Sequence, residues 1–152
     1  MMIRLGKEDP MKTLSDVLKL KGTEVFSIRP TDSVHDAMAV MDEKGVGALL
    51  VMTDEGVAGI LSERDVARKI TLSGKSPVQT PTSEIMTKRV TCVSPGLNIH
   101  EAMQVMTEQR VRHLPVLDRS QIVGVVSIGD LVKAIIDDQK FEIEQLQNYI
   151  TS

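Results

Sequence analysis

Two similar stretches decide the organisation of the chain: Gly59-Ile-Leu-Ser-Glu-Arg-Asp65 and Gly124-Val-Val-Ser-Ile-Gly-Asp130. Both have the order Gly-x-x-Ser-x-x-Asp, and the second lies 65 residues after the first. At that offset, and without a gap, residues 25–70 match residues 90–135 at 15 identical positions. Self-similarity at a fixed spacing is typical of a repeated structural unit, so we expect two copies of one module.

Each copy carries the same predicted order of elements. Apolar residues recur at helical spacing in Val34–Met41 and again in Ile99–Met106, which predicts an amphipathic helix. Ser33 and Asn98 stand immediately before these helices, each three residues ahead of an acidic residue, as helix N-caps do. Two short apolar runs separated by turn residues then predict paired strands, and a second helix follows each Gly-x-x-Ser motif. The expected fold is α/β of the α+β type, with the order β-α-β-β-α in each repeat.

The remaining segments complete the predicted domain organisation. Residues 14–20 and 82–86 share a pattern and are expected to form one leading helix before each copy. The first repeat with its leading helix is predicted to span 1–72, the linker 73–81, the second repeat 82–138 and a helical tail 139–152. The tail is amphipathic and lies outside the repeat. It should therefore cover apolar surface on its own module or on a second chain.

The composition excludes several classes of protein. The 152 residues include 41% apolar and 26% charged residues, as in an ordinary globular protein. Eighteen basic and 21 acidic residues give a net charge of -3, which argues against a nucleic-acid partner. No apolar run approaches the roughly 20 residues of a membrane-spanning helix, and the N-terminus lacks a signal-peptide core. We expect a cytoplasmic protein with neither a nucleic-acid nor a membrane partner.

Histidine, cysteine and methionine suggest no chemistry of their own. Three His and one Cys are too few to indicate a metal site, so no metal requirement is expected. Cys92 has no partner for an internal disulfide, which agrees with a reducing compartment. It falls on a predicted strand and is interpreted as a buried, inert thiol. Helical spacing of Met38, Met41, Met103 and Met106 predicts that these side chains contribute to the core.

The repeated motif has two physical interpretations. A glycine allows close approach to the strand, and a serine at a strand-to-helix junction lies beside unpaired N–H groups that favour an anion. An aspartate one turn later can accept hydrogen bonds from both hydroxyls of a ribose. The alternative is that Ser-x-x-Asp only caps a helix. Because capping boxes prefer Glu or Gln and both copies keep Asp, we favour the ligand-binding interpretation.

The repeat resembles the CBS domain, named after cystathionine beta-synthase, and two tandem copies resemble a CBS pair, or Bateman module. The resemblance covers about residues 12–137. It implies that the two copies pack around a pseudo-two-fold axis, with two clefts that bind adenosine-containing nucleotides. AMP is the first expectation, with ATP, ADP and NAD(H) as alternatives. It also implies a homodimer that signals to another, unknown protein without catalysis.

The resemblance further implies two sets of nucleotide-binding residues. Arg112 and His113 correspond to Gly47 and Ala48 in the first copy, so the cleft that contains them is expected to bind phosphate more strongly. The first cleft would use Ser62, Asp65, Val90, Val111, Arg112 and His113. The second would use Ser127, Asp130, Val25, Val46 and Arg64.

Three functions remain open at this point. The first is a regulatory module that senses adenine nucleotides. The second is a structural dimerisation domain with empty clefts, which the retained Ser and Asp residues disfavour. The third is an NAD-dependent enzyme, which lacks a recognisable set of nucleophile, base and orienting group and a Gly-x-Gly-x-x-Gly motif. No catalytic residue is therefore predicted.

Overall fold

The computed structural model describes residues 12–151, which divide into two compact units. The first unit comprises residues 25–90, and the second combines residues 12–24 with residues 91–151. In chain order the elements are α1 (Leu14–Lys21), β1 (Ser27–Ile28), α2 (Val34–Lys44), β2 (Ala48–Thr53), β3 (Gly56–Ser62), α3 (Glu63–Val66), a π-helical turn (Ala67–Thr71), α4 (Thr82–Ile85), α5 (Ile99–Gln109), β4 (His113–Asp118), β5 (Gln121–Ser127) and α6 (Ile128–Thr151).

The first unit is built on a three-stranded sheet in the order β1-β2-β3. β1 runs parallel to β2, and β2 pairs with β3 in antiparallel register, with Ala48 opposite Ser62. β-Branched and leucine side chains fill the interior because the strands alternate between the two faces of the sheet. The core residues are Ile28, Val34, Ala37, Met41, Leu49, Val51, Leu61, Val66, Ile70 and Ile85.

The second unit repeats this plan with a sheet of two strands instead of three. β4 and β5 pair in antiparallel register, with His113 opposite Ser127. The first strand of the repeat is reduced to a parallel bridge between Val93 and Val116. Cys92 therefore lies outside a regular strand and is exposed, so the expectation of a buried thiol was wrong.

Both predicted helix starts are confirmed. The Ser33 hydroxyl accepts a hydrogen bond from the Asp36 N–H at the start of α2. At α5, Asn98 and Glu101 form a reciprocal capping box, in which each side chain accepts the other residue's backbone N–H. Such a cap satisfies N–H groups that have no partner within the helix.

The leading helices are exchanged between the two repeats. α1 precedes the first repeat in sequence, yet its Leu14, Val17 and Leu18 lie in the core of the second unit. α4 precedes the second repeat in sequence, yet its Ile85 lies in the core of the first unit. The structure thus differs from the prediction that each leading helix belongs to the repeat it precedes.

Residues 73–81, which were expected to be a linker, belong to the first unit. The Val34 N–H donates to the Thr80 carbonyl at 2.9 Å, and the His35 N–H donates to the Pro77 carbonyl at 3.0 Å. These bonds satisfy free donors at the first turn of α2. The chain instead passes from one unit to the other after residue 24 and again after residue 90.

The exchange explains the glycine of each motif. An ideal Cβ on Gly59 would lie 2.8 Å from the Thr87 carbonyl oxygen and 2.8 Å from the Met86 sulfur. An ideal Cβ on Gly124 would lie 2.6 Å from a methyl carbon of Leu18. The close approach expected at these glycines is therefore made by residues of the exchanged segments.

Only part of the methionine stripe is buried as predicted. Met41 and Met106 are 4% and 3% exposed within their own units, which confirms their place in the core. Met103 is partly buried against the second core, whereas Met38 is 42% exposed. The helical period explains this split, since Met38 and Met41 lie about 60° apart around α2.

Candidate ligand site

The first motif forms a capping box at the junction of β3 and α3. The Ser62 hydroxyl accepts a hydrogen bond from the Asp65 N–H at 3.2 Å. Oδ2 of Asp65 accepts one from the Ser62 N–H at 3.0 Å and one from the Ser62 hydroxyl at 3.1 Å. The capping interpretation of this motif is thus confirmed in the first unit, whether or not a ligand also binds.

The second oxygen of Asp65 is also engaged. The Thr87 hydroxyl donates to Oδ1 at 3.3 Å, and the Lys69 ammonium lies 3.3 Å from the same atom. Lys69 also donates to the Ile85 carbonyl at 2.9 Å, so its ammonium joins the motif to the C-terminal end of α4. Thr87 is held beside β3 because it exchanges two backbone hydrogen bonds with Ile60.

The second motif has the same capping geometry but a different cation. The Ser127 hydroxyl accepts from the Asp130 N–H at 3.1 Å, and Oδ2 of Asp130 accepts from the Ser127 N–H at 2.8 Å. The Lys21 ammonium lies 2.6 Å from the same Oδ2 and donates to the Val125 carbonyl at 2.6 Å. Lys21 is the last residue of α1, so the exchanged helix supplies the partner of the motif carboxylate.

Arg112 and His113 were expected to serve the cleft of Ser62 and Asp65, yet they lie in the second unit together with Ser127 and Asp130. His113 pairs with Ser127 across the β4–β5 ladder, and the Arg112 carbonyl accepts the Ile128 N–H at 2.9 Å. In the first unit the Gly47 carbonyl accepts the Glu63 N–H at 3.0 Å in the equivalent way. The second unit therefore gathers cationic and imidazole side chains close to its motif, and the first unit has Gly47 and Ala48 in their place.

The pKa values of Asp130 and His113 in this cluster both lie below their ordinary values. Partial burial raises the pKa of Asp130, but hydrogen bonds from Lys21 and Ser127 outweigh it, so the pKa lies below its usual value. Burial lowers the pKa of His113, and Lys21 and Arg112 lower it further against the opposing effect of Asp130. At neutral pH the cluster thus combines a carboxylate with a neutral imidazole.

The other residues singled out in the sequence divide between the units. Val25 and Val90 stand at the two ends of the first unit, and Val46 precedes β2. Arg64 is exposed in the first turn of α3. Val111 precedes β4 in the second unit, where its N–H donates to the Met106 carbonyl.

Sequence reasoning missed Lys21, Lys69 and Thr87. Lys69 stands four residues after Asp65, a spacing at which helical side chains meet, so this pair could have been anticipated. Lys21 and Thr87 belong to the exchanged segments. Their contacts could be found only by knowing that each leading helix packs on the other repeat.

Comparison with known proteins identifies the family. The family model for the CBS domain matches residues 14–72 and 83–137. The chain belongs to the CBS domain family. The tandem arrangement inferred from the 65-residue offset is thereby confirmed.

Relatives of this CBS pair include proteins from plants and bacteria. It is 38% identical to the mitochondrial CBS domain-containing protein CBSX3 of Arabidopsis thaliana, over 91% of this chain and 71% of that protein. It is 32% identical to the CBS domain-containing protein YhcV of Bacillus subtilis, over 78% of this chain and 84% of that protein. A solved structure from Burkholderia ambifaria, described as a signal-transduction protein with CBS domains, is 46% identical with a TM-score of 0.81. The structural match spans 84% of this chain and 96% of the Burkholderia chain.

Two kinds of feature are absent from residues 12–151. No helix in this part of the CBS pair is long and apolar enough to cross a membrane. The same residues contain no group of three or more His, Cys, Asp or Glu side chains placed to hold a metal ion.

The pKa shifts predict that acid destabilises the CBS pair through His113. Unfolded histidine binds a proton near pH 6.5, whereas folded His113 resists it, so the free energy of unfolding falls as the pH drops through that value. Asp130 causes a second decrease in the free energy of unfolding at lower pH. Its stabilising contribution is complete above the unfolded pKa of about 3.9 and disappears as the pH falls through the lower pKa of the folded state.

Urea denaturation between pH 8 and pH 5 measures the His113 effect. We expect His113→Gln to flatten the pH dependence in this range, and the exposed His100→Gln to leave it as in the parent. Equal slopes for the His113 variant and the parent would contradict the assignment.

Proposed function

We propose that this CBS pair is a regulatory module that binds an adenosine-containing nucleotide at Ser62 and Asp65 and at Ser127 and Asp130. AMP is the first candidate ligand, and ADP, ATP and NAD(H) are the alternatives. The observation that carries the proposal is the matched geometry of the two motifs. In both units a carboxylate stands at the start of a helix, paired with a lysine and only partly buried.

A cap alone does not require this arrangement. Glu101 caps α5 through the same reciprocal bonds, and no lysine pairs with it among the described residues. Asp65 and Asp130 each have an ammonium within 3.3 Å, while their side chains stay 16% and 25% exposed. A carboxylate that remains accessible can accept hydrogen bonds from the two hydroxyls of a ribose.

The cations of the second unit support a phosphate-bearing ligand. Arg112 offers planar, bidentate donors, and Lys21 offers a point charge. His113 is neutral at pH 7 because its pKa is lowered, so it can donate one hydrogen bond without adding charge. We therefore expect affinity to increase from adenosine to its phosphorylated forms.

Thermal unfolding with adenosine, AMP, ADP, ATP and NAD(H) tests the proposal. A ligand that binds only the folded state adds about 2.7 kcal/mol at a hundred times its Kd. This should raise Tm by roughly 5–10 °C in a protein of this size. Arg112→Ala should lose most of the difference between adenosine and AMP, and Lys140→Ala in the tail should keep it. No Tm increase with any of the five compounds would refute the proposal.

A ligand-free structural module is the competing function. It is favoured by the capping boxes, because Asp65 and Asp130 both have a local role without any ligand. It predicts an unchanged Tm in the same experiment. The relatives are named for CBS domains or signal transduction rather than for a reaction, so catalysis is not proposed.

We also propose that the module acts as a homodimer and transmits its signal to another, unidentified protein. Exposed apolar side chains on α2 and α6 support this, including Met38 at 42%, Val132 at 40% and Ile136 at 45%. Nucleotide binding would favour one arrangement of the dimer over another, which couples the site to the partner surface. The cytoplasm remains the expected compartment.

A further inference from the structure

The C-terminal helix α6 has two apolar faces. One face, with Leu131, Ala134 and Ile135, packs into the core of the second unit. The other face, which we call the seam, lies roughly 110° away around the helix at 100° per residue. The seam comprises Val132, Ile136, Gln139, Ile143, Leu146 and Ile150.

The apolar seam side chains are exposed and become more so toward the C-terminus. Val132 is 40% exposed, Ile143 54%, Leu146 62% and Ile150 78%. The described residues of the second unit therefore leave the seam uncovered. Residues 139–151 extend about 20 Å along the helix axis, and an isolated helix of that length is marginal in water. Its stability therefore calls for packing of the seam against another surface.

The seam spacing specifies the kind of surface. Ile136, Ile143 and Ile150 recur every seven residues, and Val132, Gln139 and Leu146 stand between them at alternating spacings of four and three. These are the a and d positions of a heptad repeat, which pairs one helix with another. Isoleucine at a with leucine at d, as at Ile143 and Leu146, favours two parallel strands. Gln139 is the one polar residue of the seam and stands at a d position.

The charges of the tail argue against an anionic membrane surface. Residues 137–151 contain four acidic residues and one basic residue. Helices that lie on membranes are rich in Lys and Arg on their polar face, whereas this segment has only Lys140. A second helix with the same heptad pattern is the better match, and a second copy of the chain supplies one.

We propose that the seam of α6 pairs with the same seam of a second copy in a parallel, in-register two-stranded coiled coil. The inference rests on the proposed homodimer and adds the surface that holds it. In this arrangement each a residue packs against the same residue of the second chain, so Ile143 meets the partner's Ile143. Phe141 is 55% exposed on the same helix but lies at an f position, away from the partner.

Disulfide trapping tests this register in the full-length chain. In a Cys92→Ser background, Ile143→Cys is compared with Phe141→Cys, and oxidised glutathione takes up the two electrons and two protons released. We expect a covalent dimer from most of the Ile143→Cys chains and at least ten-fold less from Phe141→Cys. Equal yields from the two variants, or no dimer from Ile143→Cys, would overturn the proposal.

Sedimentation equilibrium gives an independent measure without cysteine. Replacing both Ile143 and Leu146 by Glu should raise the dimer Kd at least ten-fold, and Phe141→Glu should leave it unchanged. A monomeric parent would overturn the proposal. A dimer whose Kd the double variant leaves unchanged would also overturn it, but would leave the proposed homodimer and nucleotide site intact.

Discussion

Leu14→Ala is expected to lower the free energy of unfolding by about 3 kcal/mol. Leu14 is fully buried although it stands near the start of the described chain. It lies in the core of the second unit, so truncating it leaves a cavity there. Leu20→Ala on the same helix is the matched control: Leu20 is 76% exposed, and the change should stay within about 0.5 kcal/mol.

Amide hydrogen exchange shows which repeat the helix supports. With Leu14→Ala, the amides of β4 and β5 should lose more protection than those of β2 and β3. If each leading helix packed on the repeat that follows it, the amides of β2 and β3 would lose more protection than those of β4 and β5. A selective loss of protection in β2 and β3 would therefore contradict the exchange of the two helices.

Gly59→Ala is the second large effect, with an expected loss of about 2–3 kcal/mol from overpacking. The new methyl group would meet the Thr87 carbonyl oxygen at 2.8 Å. This oxygen is part of the backbone and accepts the Ile60 N–H, so it cannot move without breaking a hydrogen bond. Chemical denaturation of the variant and the parent measures the difference.

Two other glycines provide the comparison. Gly124→Ala should cost less, about 1 kcal/mol, because its methyl meets the flexible end of Leu18 rather than backbone. Gly96→Ala should be nearly neutral, since a Cβ there has no neighbour within 4 Å. The account is contradicted if Gly59→Ala proves as mild as Gly96→Ala.

The sequence was sufficient for the repeat and the order of its elements. Gly59 and Gly124, Ser62 and Ser127 recur in one register, and local patterns such as Asn98 with Glu101 mark helix starts without any tertiary information. These features depend on neighbours along the chain, which a single sequence displays directly. They were confirmed for that reason.

The partners of the leading helices could not be predicted in the same way. The helix containing Leu14 has the same apolar pattern whichever core it enters, so its sequence favours neither repeat. The choice depends on shape, because Gly124 leaves room for Leu18. The Lys21–Asp130 pair follows from that choice, and sequence reasoning missed it.

The motif residues illustrate a second limit. A Ser-x-x-Asp sequence is compatible with both a helix cap and a ribose site, and the structure shows that Ser62 and Asp65 form the cap. The same carboxylate can serve both roles only if a ligand can reach it. Lys69 and Lys21, which keep the two carboxylates paired, are the residues that distinguish these motifs from the plain cap at Glu101.

Titration calorimetry with AMP measures the central claim directly, as the number of nucleotide sites in each chain. The parent should bind two nucleotides, and Asp65→Asn and Asp130→Asn should each retain one, because the amide keeps a capping oxygen but loses the charge. Glu101→Gln, an equivalent change in a cap that is not proposed to bind ligand, should retain two. The account is contradicted if both Asp variants still bind two nucleotides, or if the parent binds none.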